Sequence, residues 1–274
     1  MKSGSTAISR DGTRIGYTRI GSGPPVVLVD GALCHRAFGP LTAVAKELAA
    51  SFSVYTYDRR GRGESGNTPP FTPAREIEDL DAVLREAGGS ACVCGVSSGA
   101  ALSLDAAARG LPIERLALYE PPFIVDDTRP PITDADARQM RQYVDEREHG
   151  AAVAQFMRMV GVPRMGIVMM RLMPMWSKLK AVAPTLPNDL AFTVPRQGGR
   201  PLSRDEWASV TAPTVVIAGG KSPAWMRNSN AALATVVPGA AHQVLPGQTH
   251  MVKAKVLAPV LVGFFRPPTG QQRA

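Results

Sequence analysis

The chain has 274 residues and a mass of 29.1 kDa, 45% of them apolar and 20% charged, with a mean hydropathy of -0.03. That balance excludes a disordered chain and suits one large domain with an insertion, or two small domains. The net charge of +8 raises nucleic acid as a partner, but the excess is dispersed: twelve Lys/Arg face six acids between Arg129 and Arg204, with no nucleic-acid-binding signature among them. No nucleic-acid partner is expected. A solvated basic face is the plain reading, and attraction of an anionic substrate is the alternative.

In chain order, residues 6–9 and 14–19 flank Asp11-Gly12 and predict a hairpin. Residues 25–29 read as a buried strand, 41–50 as a helix and 53–57 as a second strand. A helix is predicted over 73–86, with Pro73 at its start and Gly88-Gly89 behind it. Residues 92–96 form a strand, 98–109 a helix and 116–119 a strand. From about 123 to 207 the alternation stops, and helical segments rich in Met and broken by Pro take over. It resumes with a strand at 214–218, a helix at 223–236, a strand at 243–245 and a helix at 256–265. Alternation of this kind predicts a mostly parallel sheet. The expected organisation is a core of residues 1–122 and 208–274 with a helical cap, 123–207, inserted after the sixth strand.

The first twenty residues hold no apolar run of the kind a secretory signal needs, and no stretch approaches the roughly 18 to 20 apolar residues of a spanning helix. Cys92 and Cys94, two of three cysteines, fall on one face of a strand and are badly set for a mutual disulfide. A reducing, cytoplasmic address and no membrane partner follow as expectations. The oligomeric state is left open.

Gly95-Val96-Ser97-Ser98-Gly99 is a G-x-S-x-G placed between an apolar strand and an alanine-rich helix. A nucleophile on a strained strand-to-helix turn needs small flanking residues, and the helix N-terminus favours developing negative charge. Ser97 is the candidate nucleophile; a glycine-rich turn with no chemistry is the alternative.

With that elbow, the run Tyr57-Asp58-Arg59-Arg60-Gly61-Arg62-Gly63-Glu64-Ser65-Gly66 resembles the D-x-R-G-x-G-x-S loop of the α/β-hydrolase superfamily, and the resemblance spans about residues 5 to 266. A phosphate-binding loop is disfavoured, because no helix opens directly behind these glycines. The resemblance implies an eight-stranded α/β-hydrolase fold. It also implies an oxyanion hole from the backbone N–H groups of Ala32 and Ser98. Asp30 stands where the family usually carries His, which puts the anchoring of that loop in doubt. His250, between the last strand and the last helix, occupies the place of the family's catalytic base, and imidazole suits the task. His149 is read as a cation favoured at a helix end, and His242 as structural. A Cys34–His35 thiol pair is the minor alternative.

The resemblance places the third catalytic residue in the turn after the seventh strand, but that turn, Ala218-Gly219-Gly220-Lys221-Ser222-Pro223, holds no carboxylate. Glu120, at the end of the sixth strand, is therefore the candidate acid, with Asp126 and Asp127 in reserve. Met169, Met173 and Trp176, from a Met-rich stretch, are candidates to contact an apolar acyl group, packing between cap and sheet being the alternative. No cofactor motif and no metal-ligand spacing occur. The activity expected is that of a carboxylic ester hydrolase acting on a small to medium, fairly apolar ester, lactone or thioester through an acyl-enzyme. The alternatives are a ligand-binding protein that has lost hydrolysis, and a lyase or cyclase using the same pocket.

Overall fold

The structure is a computed structural model and describes residues 4–266. Eight strands form one sheet: β1 (Ser5–Ile8), β2 (Arg14–Ile20), β3 (Pro25–Val29), β4 (Ser53–Tyr57), β5 (Ala91–Val96), β6 (Ile113–Tyr119), β7 (Thr214–Gly219) and β8 (Ala241–Leu245). Their order is β1-β2-β4-β3-β5-β6-β7-β8, antiparallel only where β2 pairs with β1 and with β4. The predicted hairpin and alternation are both observed.

Around the sheet stand α1 (Leu41–Leu48), α2 (Pro73–Glu86) and α3 (Ser98–Ala108). Five further helices, α4 (Asp134–Asp145), α5 (His149–Met159), α6 (Arg164–Arg171), α7 (Met175–Val182) and α8 (Leu186–Thr193), lie between β6 and β7 as a helical insertion. The chain closes with α9 (Ala224–Val236) and α10 (Ala254–Phe265). No helix among the described residues is long and apolar enough to cross a membrane.

The strand period of two sorts the core into two layers. Val26, Leu28, Cys92, Cys94 and Ile217 pack toward Leu41, Leu48, Leu257 and Leu261 of α1 and α10. Val27, Val29, Val93, Leu118 and Val216 pack toward Leu80, Val83, Leu104 and Leu233 of α2, α3 and α9. α3 is buried along almost its whole length, which explains its run of Ala and Gly. The insertion has its own apolar centre, in which Met140, Val153, Trp176, Leu179 and Leu190 join Leu33 of the loop after β3.

One local expectation is corrected. His149 opens α5 and does not end a helix, so the favourable cation position does not apply to it. α4 has already stopped: Arg147 takes φ 60°, and the N–H groups of Arg147 and Glu148 close back on the carbonyls of Val144 and Tyr143. That is the left-handed helix stop that glycine usually supplies, here adopted by arginine.

Candidate active site

Parallel strands bring their carboxyl ends to one edge, and the loops leaving β3, β4, β5, β6 and β8 meet there. Ser97, between β5 and α3, has φ 57° and ψ −125°. The turn is possible because its neighbours lack side chains: a Cβ on Gly95 would stand 2.4 Å from the Gly99 carbonyl oxygen, and one on Gly99 would stand 2.3 Å from that of Val29. Of the four non-glycine residues with positive φ among the described residues, three are Leu33, Ser97 and Glu120, all at this edge. Backbone strain of this kind clusters at active sites and ligand clamps, which makes this edge the candidate site.

Glu120 is fully buried, and its two oxygens are both engaged. Oε2 lies 2.8 Å from His250 Nδ1, and Oε1 accepts the Gly219 N–H at 2.7 Å. The loop carrying His250 is held from below. The Tyr119 hydroxyl donates to the Thr249 carbonyl at 2.6 Å, and the Lys221 N–H donates to the Gln248 carbonyl at 2.8 Å. The Glu120 contact is the single hydrogen bond of the His250 ring among the described residues, so Nε2 is open, and Ser97 Oγ is not bonded to it.

Gly31 presses on the elbow, since a Cβ there would lie 3.0 Å from Ser97 Cβ. The backbone N–H groups of Ala32 and Ser98 donate to no protein acceptor among the described residues. The loop that bears Ala32 is anchored, despite Asp30, by two arginines of the loop after β4. Arg62 Nη1 donates to the carbonyls of Gly31 at 2.7 Å and Cys34 at 3.1 Å. Arg59 Nη1 donates to the Asp30 carbonyl at 3.3 Å and to Ser98 Oγ at 3.1 Å. Asp189 of α8 clamps both cations, Oδ1 to Arg59 and Oδ2 to Arg62, each at 2.6 Å. Glu76 of α2 holds the far edge of Arg59 at 2.6 and 2.8 Å. All four charged residues are buried. Burial alone would raise the Asp189 carboxyl, but Arg62 and Arg59 outweigh it and hold it below the usual carboxylate range.

Asp30 lies beside this neutralised group with Oδ1 unpartnered and buried. Burial pushes its carboxyl up to about 7 against the pull of Arg62 and Arg59. The Cys34 thiol is likewise raised to about 12, by burial first and then by Asp30. A nucleophilic thiol needs the opposite shift, so the Cys34–His35 alternative loses its chemical basis. His35 Nδ1 instead accepts the Ala37 N–H at 3.4 Å, and His242 stands exposed on β8.

The reserve acids lie elsewhere. Asp126 is tied to Thr128 and Asn228, and Asp127 is exposed. Arg129 stacks on Trp225 at 4.2 Å rather than pairing with either. Met169 and Met173 are 61% and 49% exposed on and just beyond α6, while Trp176 is buried in the centre of the insertion. Trp176 also borders a cleft of about 690 Å³ together with Arg147, His149, Arg171 and Lys180, which gathers part of the dispersed positive charge. Sequence reasoning missed Arg59, Arg62, Glu76 and Asp189. Their only signal was three arginines crowded into a glycine turn behind an apolar strand.

The profile of the alpha/beta hydrolase family matches residues 23–254, and the chain belongs to that family. An alpha/beta hydrolase from Sphaerobacter thermophilus DSM 20745 is 48% identical, with a TM-score of 0.88 over 96% of this chain and 100% of its own. At lower identity the fold alone is shared. A malate-bound thermophilic esterase from Thermogutta terrifontis is 22% identical with a TM-score of 0.68, covering 96% and 99% of the two chains. The enol-lactonase from Burkholderia xenovorans LB400 is 22% identical with a TM-score of 0.67, covering 95% and 99%. No curated protein matches the chain by sequence.

Proposed function

We propose that this protein is a serine hydrolase of carboxylic esters, lactones or thioesters with a small to medium, fairly apolar acyl group. Ser97 is its nucleophile, His250 its general base and Glu120 the acid that orients the imidazole. The observation that carries the reading is the 2.8 Å contact between a fully buried Glu120 and His250, made at the sheet edge that holds the strained Ser97 elbow.

A carboxylate at Nδ1 fixes the tautomer that leaves Nε2 free to accept a proton, and it stabilises the imidazolium once formed. Ser97 Oγ attacks the acyl carbon as its proton passes to Nε2, and the oxyanion is received by the Ala32 and Ser98 N–H groups. Collapse expels the alcohol or thiol, which takes the proton from His250, and water repeats the sequence to free the acid. Each oxyanion donor is worth roughly 10²- to 10³-fold in kcat. The serine–histidine bond is commonly long in the absence of substrate and tightens in the complex, so its absence here is compatible with the reading. Met169 and Met173, exposed on and just beyond α6, are assigned to contact with longer acyl chains, and the helical insertion to the role of a cap.

The test is a fluorophosphonate probe together with a panel of p-nitrophenyl esters of increasing chain length. Turnover and labelling that maps to Ser97 are expected. Well-folded protein that does neither is a binding protein or a lyase, and the hydrolase reading fails.

A further inference from the structure

Acyl transfer needs two oriented amides, but it does not require a pair of buried arginines beside them. Arg59 and Arg62 use their charged edges on Glu76 and Asp189, and every remaining hydrogen-bond acceptor of the two side chains but one belongs to the oxyanion loop or the elbow. These are the carbonyls of Asp30, Gly31 and Cys34 and the hydroxyl of Ser98; the exception is Thr185 Oγ1, 3.0 Å from Arg62 Nε.

The Gly31 carbonyl and the Ala32 N–H are the two ends of one peptide unit. The unit is planar and trans, so the C=O and N–H vectors oppose each other. Whatever grips the oxygen aims the hydrogen. Arg62 Nη1 makes that grip at 2.7 Å, a charge-assisted bond in a buried setting, and a cation on the oxygen also polarises the amide and strengthens its N–H as a donor.

We propose that Arg62, pinned by Asp189 of the helical insertion, is the positioning residue of the oxyanion hole: it sets the direction and donor strength of the Ala32 N–H. Arg59, held by the same carboxylate, steadies the second donor through Ser98 Oγ, which itself donates to Asp189 Oδ1 at 2.7 Å. The seating of α8 and the competence of the hole are thereby one event. The inference rests on the Ser97 hydrolase reading.

Arg62→Lys keeps the charge but loses the planar fork, and it cannot span Asp189, Gly31 and Cys34 at once. Asp189→Asn keeps the shape and removes the clamp. The measurements are kcat and KM on an ester the wild type turns over, the affinity of an arylboronic acid that forms a tetrahedral adduct on Ser97, and Tm. In each variant kcat is expected to fall on the order of 10²-fold, the loss attached to one oxyanion donor, with KM within about threefold and boronate affinity falling in step with kcat. If neither variant yields folded protein, Ser98→Ala carries the test, since it keeps the N–H and disturbs no charge. There kcat and boronate affinity should drop together by about three- to tenfold, as loss of a buried hydrogen bond implies.

A lower Tm with kcat and boronate affinity unchanged would make the network merely structural and overturn the proposal. So would a loss confined to KM. Wild-type protein that leaves both the fluorophosphonate and the boronate unbound overturns the hydrolase reading itself, before any variant is compared.

Discussion

Glu120 and His250 are 130 residues apart in the chain and 2.8 Å apart in the fold, and the carboxylate in this pair has no exposure to solvent. A buried carboxylate needs specific partners, and here they are the imidazole and one backbone amide. Replacing Glu120 by Gln keeps the shape and removes the charge. On any ester the wild type accepts, kcat for Glu120→Gln should fall roughly 10³- to 10⁴-fold, while Asp126→Asn should stay near wild type. Near-normal kcat in Glu120→Gln removes it from the catalytic group.

Ser97 carries backbone strain that belongs to its φ of 57° and not to its hydroxyl. Ser97→Ala should therefore abolish turnover at unchanged Tm. Ser97→Gly should be equally dead but more stable by about 1 kcal/mol, because glycine adopts that conformation at little cost. Calorimetry of the two variants checks this, and equal Tm values would mean that the elbow stores no strain.

Gly99 makes the opposite case. Its substitution by Ala puts a Cβ 2.3 Å from the Val29 carbonyl oxygen and forces the elbow away from β3. Overpacking of this kind costs typically about 1–3 kcal/mol. Urea unfolding should show that loss, together with reduced Ser97 labelling, whereas a Gly99→Ala variant of wild-type stability would mean the two segments separate freely.

Asp30 ties stability to pH. Its carboxyl is held at about 7 in the folded protein, by burial above all, whereas an unfolded chain releases the proton near pH 4. Between these values the folded state binds more protons than the unfolded state, so this group makes stability fall as pH rises from about 4 to 7 and then level off. Asp30→Asn should remove that contribution and be relatively more stable than wild type at pH 8 than at pH 5. Unfolding curves at a series of pH values measure it, and parallel profiles for the two proteins would show that Asp30 does not titrate in this window.

The exposure of Met169 and Met173 separates binding from packing. Met169→Ala with Met173→Ala should leave Tm within about 1 °C, as surface changes do, while lowering kcat/KM for octanoyl esters more than for acetyl esters. Equal loss on both chain lengths would show that these side chains do not meet the acyl group.

Much of this site is legible in the sequence because its demands are local. An elbow needs small residues two before and two after the nucleophile, and Gly95 and Gly99 are there. Glu120 is the candidate acid because the turn where the resemblance expects one carries none, and the structure sets it 2.8 Å from His250. The ion network is not legible. Arg62 and Asp189 are separated by 127 positions and share no periodicity, and only the packing of α8 against the loop after β4 makes them partners. Asp30 reads as a defect in the loop for the same reason: its replacement anchors come from another part of the chain. The stop between α4 and α5 escapes because arginine, not glycine, takes the left-handed position.

The junction of β7 with the turn that follows it supplies the site with an amide in place of a carboxylate, through the N–H of Gly219, the strand's last residue, bound to Glu120. An amide hydrogen is common to every residue but proline, so what this turn contributes is a matter of span and not of composition. The side chains of Lys221 and Ser222 are chemically silent toward the histidine, although the Gly220 and Lys221 amides fasten the loop that bears it. Gly219 is the exception, since a Cβ there would meet the Gln248 carbonyl oxygen at 2.7 Å. The turn works as a ruler laid between the segments that bear Glu120 and His250: its wording can drift, but the loss or gain of a single residue would move carboxylate and imidazole out of step.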